Sequence, residues 1–525
     1  FAVAADDEAA AAAAVAAVQV EIDELPALFD AEAALAPGAP LLHDDKPGNL
    51  EREVRQDFGD VDAGFAAAAL VMEREYDCAE VAHGQIELNA ALAHWDPEAQ
   101  RLTMQSVSQV PYYLHLTLAQ TLGLDSAAIR VVKPFVGGGF GHRVEPLNFE
   151  MIAAALARAA GGTVKVELTR EDAFLTHRGR PATTVRLKIG LSARGEITAV
   201  DARVVQRGGA YAGYGLVTIL YAGALLHALY RVGAVRYHGL RVYANLPPCG
   251  AMRGHGAVNV RFAFESLLDE MAAAMGLGPF ALRRANLITP PYRTLNDLQV
   301  NSCGLAQCLD AVEQASGWHE RRSGSRGATP AAGTLRRGLG LACSHYVSGS
   351  AKPVHWSGEP HAVVNLKLDF DGSITVLTGA ADIGQGSSTL LAQVVAEVLL
   401  LPMARLRVIA GEAWGEASPV KVFSGTFNVV ASLKIRELVR LTPASKSSVR
   451  SGSAGWMGGM VDRTGTTPRD RAWLIRGRSR SAAWAPGYSP TELSIPMSFV
   501  PARMKTNRGR ISLSSHWSGV SRIPQ

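Results

Sequence analysis

A chain of 525 residues, 48% hydrophobic and 19% charged, can bury several cores and at roughly 150 residues per domain divides into three or four domains. Its 52 glycines fall in short turns between apolar segments, which suits an α+β architecture and excludes a fibrous or repeat protein. The net charge of +4 hides an acidic beginning and a basic stretch from Arg436 to Arg508, whose clusters (Arg471, Arg476, Arg478, Arg480) have no folded nucleic-acid motif behind them, so no nucleic-acid partner is expected.

The five cysteines, Cys78, Cys249, Cys303, Cys308 and Cys343, are odd in number and widely spaced, the pattern of reduced intracellular thiols. Cys303 and Cys308 are too isolated to hold zinc or an iron–sulfur cluster, and no residue is assigned as a metal ligand. Ala9–Val20 is apolar but short and follows three acids. It has neither the basic start of a signal peptide nor the length of a membrane span, so a cytoplasmic protein without a span is expected.

In chain order, the spacing predicts a helix over Glu8–Val20, a short strand Val20–Ile22, and a turn-rich stretch that stays polar and irregular from Asp45 to Gly64. Strands are predicted at Ala69–Tyr76, Glu87–Trp95 and Leu102–Ser108, then a helix over Tyr112–Leu122 that Gly123 stops. Ile129–Pro134 reads as a strand running into the cluster Gly137–Gly141. An apolar helix Phe149–Ala160, closed by Gly161 and Gly162, and a strand Thr163–Leu168 follow. Arg186–Leu191 and Ile197–Gln206 form a hairpin pattern, and Leu240–Tyr243 is extended. Asn245–Gly256 is broken by prolines and glycines, and helices are expected at Phe262–Met275 and Pro279–Asn286.

Ser316–Thr334 is rich in Ser, Gly and Arg and marks the best domain boundary. Beyond it, Leu339–Val347 and His361–Asp369 are extended, and Asp371-Gly372 turns into Ile374–Leu377. A polar glycine loop, Ala381–Leu390, precedes a helix at Leu391–Leu399 and a strand at Leu406–Ala410. After about Ser424 no period persists. Tryptophans mix with dense Arg, Ser and Gly, which suits neither disorder nor core and has the texture of a sequence read out of frame or of an unusual tail.

Three loops could carry chemistry. Gly137–Gly141 lacks both the dinucleotide and the P-loop spacing; it is either a tight turn or backbone passing close to a bulky ligand. Arg253, between flexible stretches, is either a surface arginine or a holder of an anionic oxygen. Gly384-Gln385-Gly386 offers an amide between two residues that permit close approach, a weak signal alone. The basic turn His177, Arg178, Arg180 could meet a phosphate or pair with Glu171 and Asp172. No Ser-His-Asp or Cys-His arrangement is legible.

Taken together and in order, "VVKPFVGGGFGHRVEP", "PPCGAMRGHGAVNVRFAFESLLDEMA" and "ADIGQG" resemble the molybdopterin-binding subunits of the xanthine oxidase and aldehyde oxidoreductase family, from about residue 15 to 415. "THRGRP", "GGAYAGYG", "MRGHG" and "NDLQVNSCG" resemble its 4-hydroxybenzoyl-CoA reductase branch. The resemblance implies an α+β fold: a truncated α/β hammerhead domain (1–45), then two large molybdopterin-binding α+β domains. The first is 46–315, the linker 316–334, the start of the second 335–423, and 424–525 an atypical basic tail. It places Gly139, Phe140 and Gly141 beside molybdenum and pterin, brings Arg253 to the metal centre as the catalytic arginine, and sets Gly384, Gln385 and Gly386 against the cofactor.

The implied cofactor is molybdopterin with molybdenum, in its cytosine dinucleotide form. The implied partners are an iron–sulfur subunit with 2Fe-2S clusters and an FAD-binding subunit, in a heterotrimer. The reaction implied by the branch is reductive dehydroxylation of 4-hydroxybenzoyl-CoA, with an acyl-CoA as substrate. Oxidative hydroxylation of an aldehyde or N-heterocycle by water is the alternative, and a non-catalytic scaffold subunit a third reading. His142-Arg143 stands where the family commonly has Gly-Lys, and the C-terminal Gly-x-Gly-Glu motif that carries the family's general base has no counterpart here.

Overall fold

The computed structural model describes residues 2–325, 338–345 and 364–414. The readings of 326–334, of the ends of the two extended segments (346–347 and 361–363) and of the tail from 415 onward therefore lie outside the described residues. The architecture is α+β, with several sheets, as expected.

The longest alternation in the chain builds the largest sheet. Along Thr183–Leu191 every second side chain is buried (Thr183, Val185, Leu187, Ile189, Leu191), the period of a strand with one face on a core. It pairs antiparallel with Ile197–Gly209, across a turn that Gly195 enables at φ 78°. Ile197–Gly209 then pairs parallel with Ala234–Tyr243. A parallel neighbour needs a crossover, and the intervening chain supplies one containing the helix Thr218–Leu225. Leu50–Phe58 and Leu70–Cys78 close the two edges.

The helix Ala257–Ala274 covers this sheet with Val260, Ala263, Phe264, Leu267, Leu268 and Met271. A buried polar knot fixes it. Glu265 accepts from Tyr230 Oη (2.7 Å), Arg283 Nε (2.8 Å) and the Cys343 amide (2.9 Å). A buried carboxylate is tolerated only when so compensated. The loop at the N-terminal end of this helix, which contains Arg253, thus hangs from a rigid support.

A second sheet has the order Glu412–Trp414, Ile129–Val132, Arg101–Ser106, Ala90–Asp96, Thr163–Glu167. Helices Pro111–Leu122 and Asn148–Ala160 pack on it through Leu114, Leu118, Phe149, Ala153 and Ala157. Gly123 and Gly161 end these helices in the left-handed conformation. A third sheet, Val364–Leu368, Ile374–Thr378 and Leu406–Ala410, is covered by the helix Ser387–Leu399 through Val394, Val395 and Val398.

Four expectations are corrected. The stretch Asp45–Gly64 is not irregular: Leu50–Phe58 is an edge strand and Val61–Ala66 a helix. Only Val54 of that strand is buried, so its charges concealed the pattern. The first helix ends at Ala16 with no buried residue, and no strand forms at Val20–Ile22. A helix, Trp318–Ser325, opens the Ser/Gly/Arg-rich stretch. The helix expected from Leu391 begins at Ser387, because Asp382 satisfies the amide of Ser388 (3.2 Å) and starts the turn early.

Candidate functional site

The glycine loop leaves the strand Ile129–Val132 of the second sheet and folds onto neighbours that sequence reading did not single out. Gln109 Oε1 accepts from the Gly141 amide (2.9 Å) and the Arg143 amide (3.3 Å), while its own amide donates to Arg143 O (2.8 Å). A methyl group on Gly139 would lie 2.5 Å from Gln109 Oε1. Glu87 accepts from the Gly137 amide (2.7 Å) and pairs with Arg143, which is buried and also donates to the Glu87 and Leu88 carbonyls. The glycines are therefore required by protein packing in part, as a tight turn would be, yet the turn leaves Phe140 at φ 54° and the residue 47% exposed. A left-handed aromatic residue pointing outward is strained and unprotected by its own fold.

The arginine loop is fastened to this turn. The Arg253 amide donates to Phe140 O (2.9 Å), and a side chain on Gly141 would collide with the Ala251 carbonyl. From behind, His83 Nε2 donates to Ala251 O (2.8 Å) and Arg180 donates to Arg253 O (2.6 Å). The basic turn 177–180 thus serves this loop: the Gly250 amide donates to Gly179 O (2.9 Å), and Glu145, facing Arg178, accepts from the Tyr214 amide (2.8 Å). His177 pairs with Glu80 at 3.1 Å, not with the Glu171 and Asp172 that sequence proximity favoured. Arg253 itself is exposed, and its guanidinium has no hydrogen bond or ion pair among the described residues.

Three histidines line the underside of these loops in neutral form. Burial pushes His83 down to about 4, and burial with the neighbouring His83 and Arg143 takes His142 to about 3. The His83 and His142 rings lie 5.0 Å apart. His255 is buried, shares a 2.6 Å hydrogen bond with Thr218, stacks on Tyr221 and is held down to about 3 by burial. It sits inside the loop's support, whereas Arg253, two residues earlier, faces out.

The glutamine loop is held by Asp382. Its carboxylate accepts from the amides of Gly384 (3.0 Å), Gly386 (3.3 Å) and Ser388 (3.2 Å), and although burial opposes this the three amides hold it below the ordinary carboxylate range. Gln385 turns inward, donating to Ala381 O (2.9 Å) and accepting from the Ile383 amide (2.7 Å). Gly384 and Gly386, at φ 109° and 74°, have open space where side chains would stand. This loop meets the first through Lys133, whose ammonium donates to Asp382 O (3.0 Å). The structure therefore joins Phe140 and Arg253 directly, while among the described residues the glutamine loop is linked to the entry of the glycine loop by the Lys133 side chain.

Gln109 and Glu87 escaped sequence reading because they lie outside every motif and act over a long sequence separation, while Lys133 and Asp382 stand within the glycine-loop and glutamine-loop motifs but their bond to each other crosses between the two. Among the described residues no group of His, Cys, Asp or Glu could hold a metal ion, and no helix is long and apolar enough to cross a membrane.

Two family models match the chain, both described as a molybdopterin cofactor-binding domain, over residues 42–287 and 311–415. A xanthine dehydrogenase molybdenum-binding subunit of Escherichia coli O157:H7 is 35% identical over 78% of this chain and 53% of its own. The aldehyde oxidoreductase molybdenum-binding subunit PaoC of Escherichia coli K12 is 31% identical over 77% of this chain and 54% of its own. The crystal structure of quinoline 2-oxidoreductase from Pseudomonas putida 86 superposes with a TM-score of 0.72 at 25% identity, covering 83% of this chain and 56% of that one. The chain thus spans about half the length of the relatives it matches. These names correct the reading of a 4-hydroxybenzoyl-CoA reductase. The similarity runs to xanthine, aldehyde and quinoline oxidoreductases, so reductive dehydroxylation and the acyl-CoA substrate fall. Two of the short motifs that suggested that branch, THRGRP and GGAYAGYG, hold the arginine loop in place through Gly179, Arg180 and Gly208, a need that does not depend on the substrate. This chain belongs to the xanthine oxidase and aldehyde oxidoreductase family, as a molybdopterin-binding subunit.

Proposed function

We propose that this chain is the cofactor-binding part of a molybdenum hydroxylase that oxidises an aldehyde or an N-heterocycle with water. The balance is substrate C–H plus water to C–OH, with two electrons and two protons released. The bound molybdenum cofactor supplies the redox chemistry, and the protein binds, orients and shields. Gly139, Phe140 and Gly141 would present backbone and ring to it, Arg253 would hold an anionic oxygen, and Gly384, Gln385 and Gly386 would close on it from the other loop.

The observation that carries this reading is the junction of Phe140 O with the Arg253 amide. It ties the backbone of Phe140, an exposed residue at positive φ, to that of Arg253, whose guanidinium has no partner among the described residues. Free donors on a fixed support suit an anionic ligand. The open space over Gly384 and Gly386 suits close approach of a bulky group. With no metal-ligand cluster among the described residues, the metal's ligands would come from the pterin.

We further propose the cytosine dinucleotide form of the cofactor and a cytoplasmic heterotrimer. In it an iron–sulfur subunit with 2Fe-2S clusters and an FAD subunit carry the electrons away. We propose with it a domain division into an α/β hammerhead segment over 1–45, molybdopterin-binding units over 46–315 and from 335, and a linker over 316–334. The test is oxidation of an aromatic aldehyde and of an N-heterocycle in ¹⁸O-labelled water with a dye as electron acceptor. One labelled oxygen per product molecule is expected, with Arg253→Ala lowering kcat/KM at least about tenfold, as loss of a charged hydrogen bond would. Unlabelled product, or no turnover by metal-loaded protein, would sink the proposal.

A further inference from the structure

We infer that Lys133 is a positioning residue that sets the Gln385 loop against the glycine loop, an inference that rests on the reading of these loops as one cofactor site. Lys133 directly follows the strand Ile129–Val132 and lies four residues before Gly137. Its contacts run to the other half of the site at three levels. The Lys133 amide donates to Gly411 O (3.2 Å), its methylene stem covers Gly411 so closely that a methyl there would lie 2.6 Å from Cε, and its ammonium donates to Asp382 O (3.0 Å) and Pro134 O (2.9 Å).

Asp382 is the residue whose carboxylate gathers the Gly384, Gly386 and Ser388 amides. One ammonium therefore fixes the carbonyl of the residue that shapes the glutamine loop, while its backbone belongs to the glycine loop's entry. The neighbouring ladder, Glu412–Trp414 on Ile129–Val132, aligns the two segments along the sheet but does not reach the loop. Lys133 makes that last connection. An ammonium is well suited to it, because its three N–H donors reach both carbonyl oxygens, whereas an apolar side chain of similar length would leave them without this donor.

The test compares full-length wild type, Lys133→Met and Lys133→Arg by hydrogen exchange without cofactor and by molybdenum content after loading. In Lys133→Met the amides of Gly384, Gly386 and Ser388 should exchange at least about tenfold faster, those of Thr183–Leu191 should not change, and molybdenum content should fall. Lys133→Arg, which keeps a charged donor, should restore both. Unchanged exchange in the loop, equal loosening of the large sheet, or faster loop exchange with wild-type molybdenum content would each overturn the inference. A wild type that takes up no molybdenum would instead fail the cofactor reading, with the exchange data still reporting on the lysine.

Discussion

At the scale of single residues, the site is built from groups whose charge state is set by burial. Glu150, at the start of the helix that follows the glycine loop, accepts from the Leu147 amide (2.7 Å) and from Ser106 (2.6 Å). Burial outweighs both bonds and pushes its carboxyl up to about 7 from 4.5. Below pH 4.5 both folded and unfolded chains hold the proton. Between 4.5 and 7 the unfolded chain releases it while the folded one keeps it, so stability falls across that window. The loss above pH 7 is on the order of 3 kcal/mol. Glu150→Gln keeps an acceptor for Leu147 and has nothing to titrate. Urea unfolding should therefore show the variant equal to wild type near pH 4 and more stable at pH 8. Parallel pH profiles for the two proteins would contradict this.

At the scale of elements, the glycines of the turns are not equivalent. Gly161 ends a helix at φ 65° with nothing within 4 Å of where a side chain would stand, so Gly161→Ala carries backbone strain alone, about 1 kcal/mol. Gly141 combines φ 105° with a collision against the Ala251 carbonyl, and the arginine loop must move to admit a methyl. Thermal unfolding should show Gly141→Ala destabilised by about 2–4 kcal/mol, well beyond Gly161→Ala, with cofactor retention lost only in the former. Equal effects would mean that the two loops are not mechanically joined.

The same scale explains what was legible in advance. Thr183–Leu191 and Pro279–Asn286 announce themselves by period and by their terminal residues. Thr218–Leu225 does not: buried almost all round, it has no polar face and so no helical period. Leu50–Phe58 failed for the opposite reason, an edge strand too charged to show alternation. Of the site, the glycines, Arg253 and Gln385 were visible as motifs, while Gln109 and Glu87 lay outside any motif and the roles of Lys133 and Asp382, though inside the motifs, were not legible. A hydrogen bond spanning 249 residues, as from Lys133 to Asp382, leaves no mark on local spacing.

At the scale of the molecule, one sheet from the first half of the chain, one from the second half and one built from both carry the loops of the site. The strand Glu412–Trp414 joins the sheet whose neighbouring strand, Ile129–Val132, feeds the glycine loop. The helix Ala257–Ala274, pinned by Glu265 to Arg283 and to the Cys343 amide, supports the arginine loop. Rigid elements thus carry the loops, as a bound cofactor of fixed shape requires. The molybdenum and pterin content of the purified protein, for wild type and Arg253→Ala side by side, tests this account most directly. Wild type should carry about one molybdenum per chain, and the variant far less at an unchanged unfolding temperature, since the bonds Arg253 makes in the described fold are backbone ones that alanine keeps. Properly folded wild-type protein that binds neither metal nor pterin would contradict it.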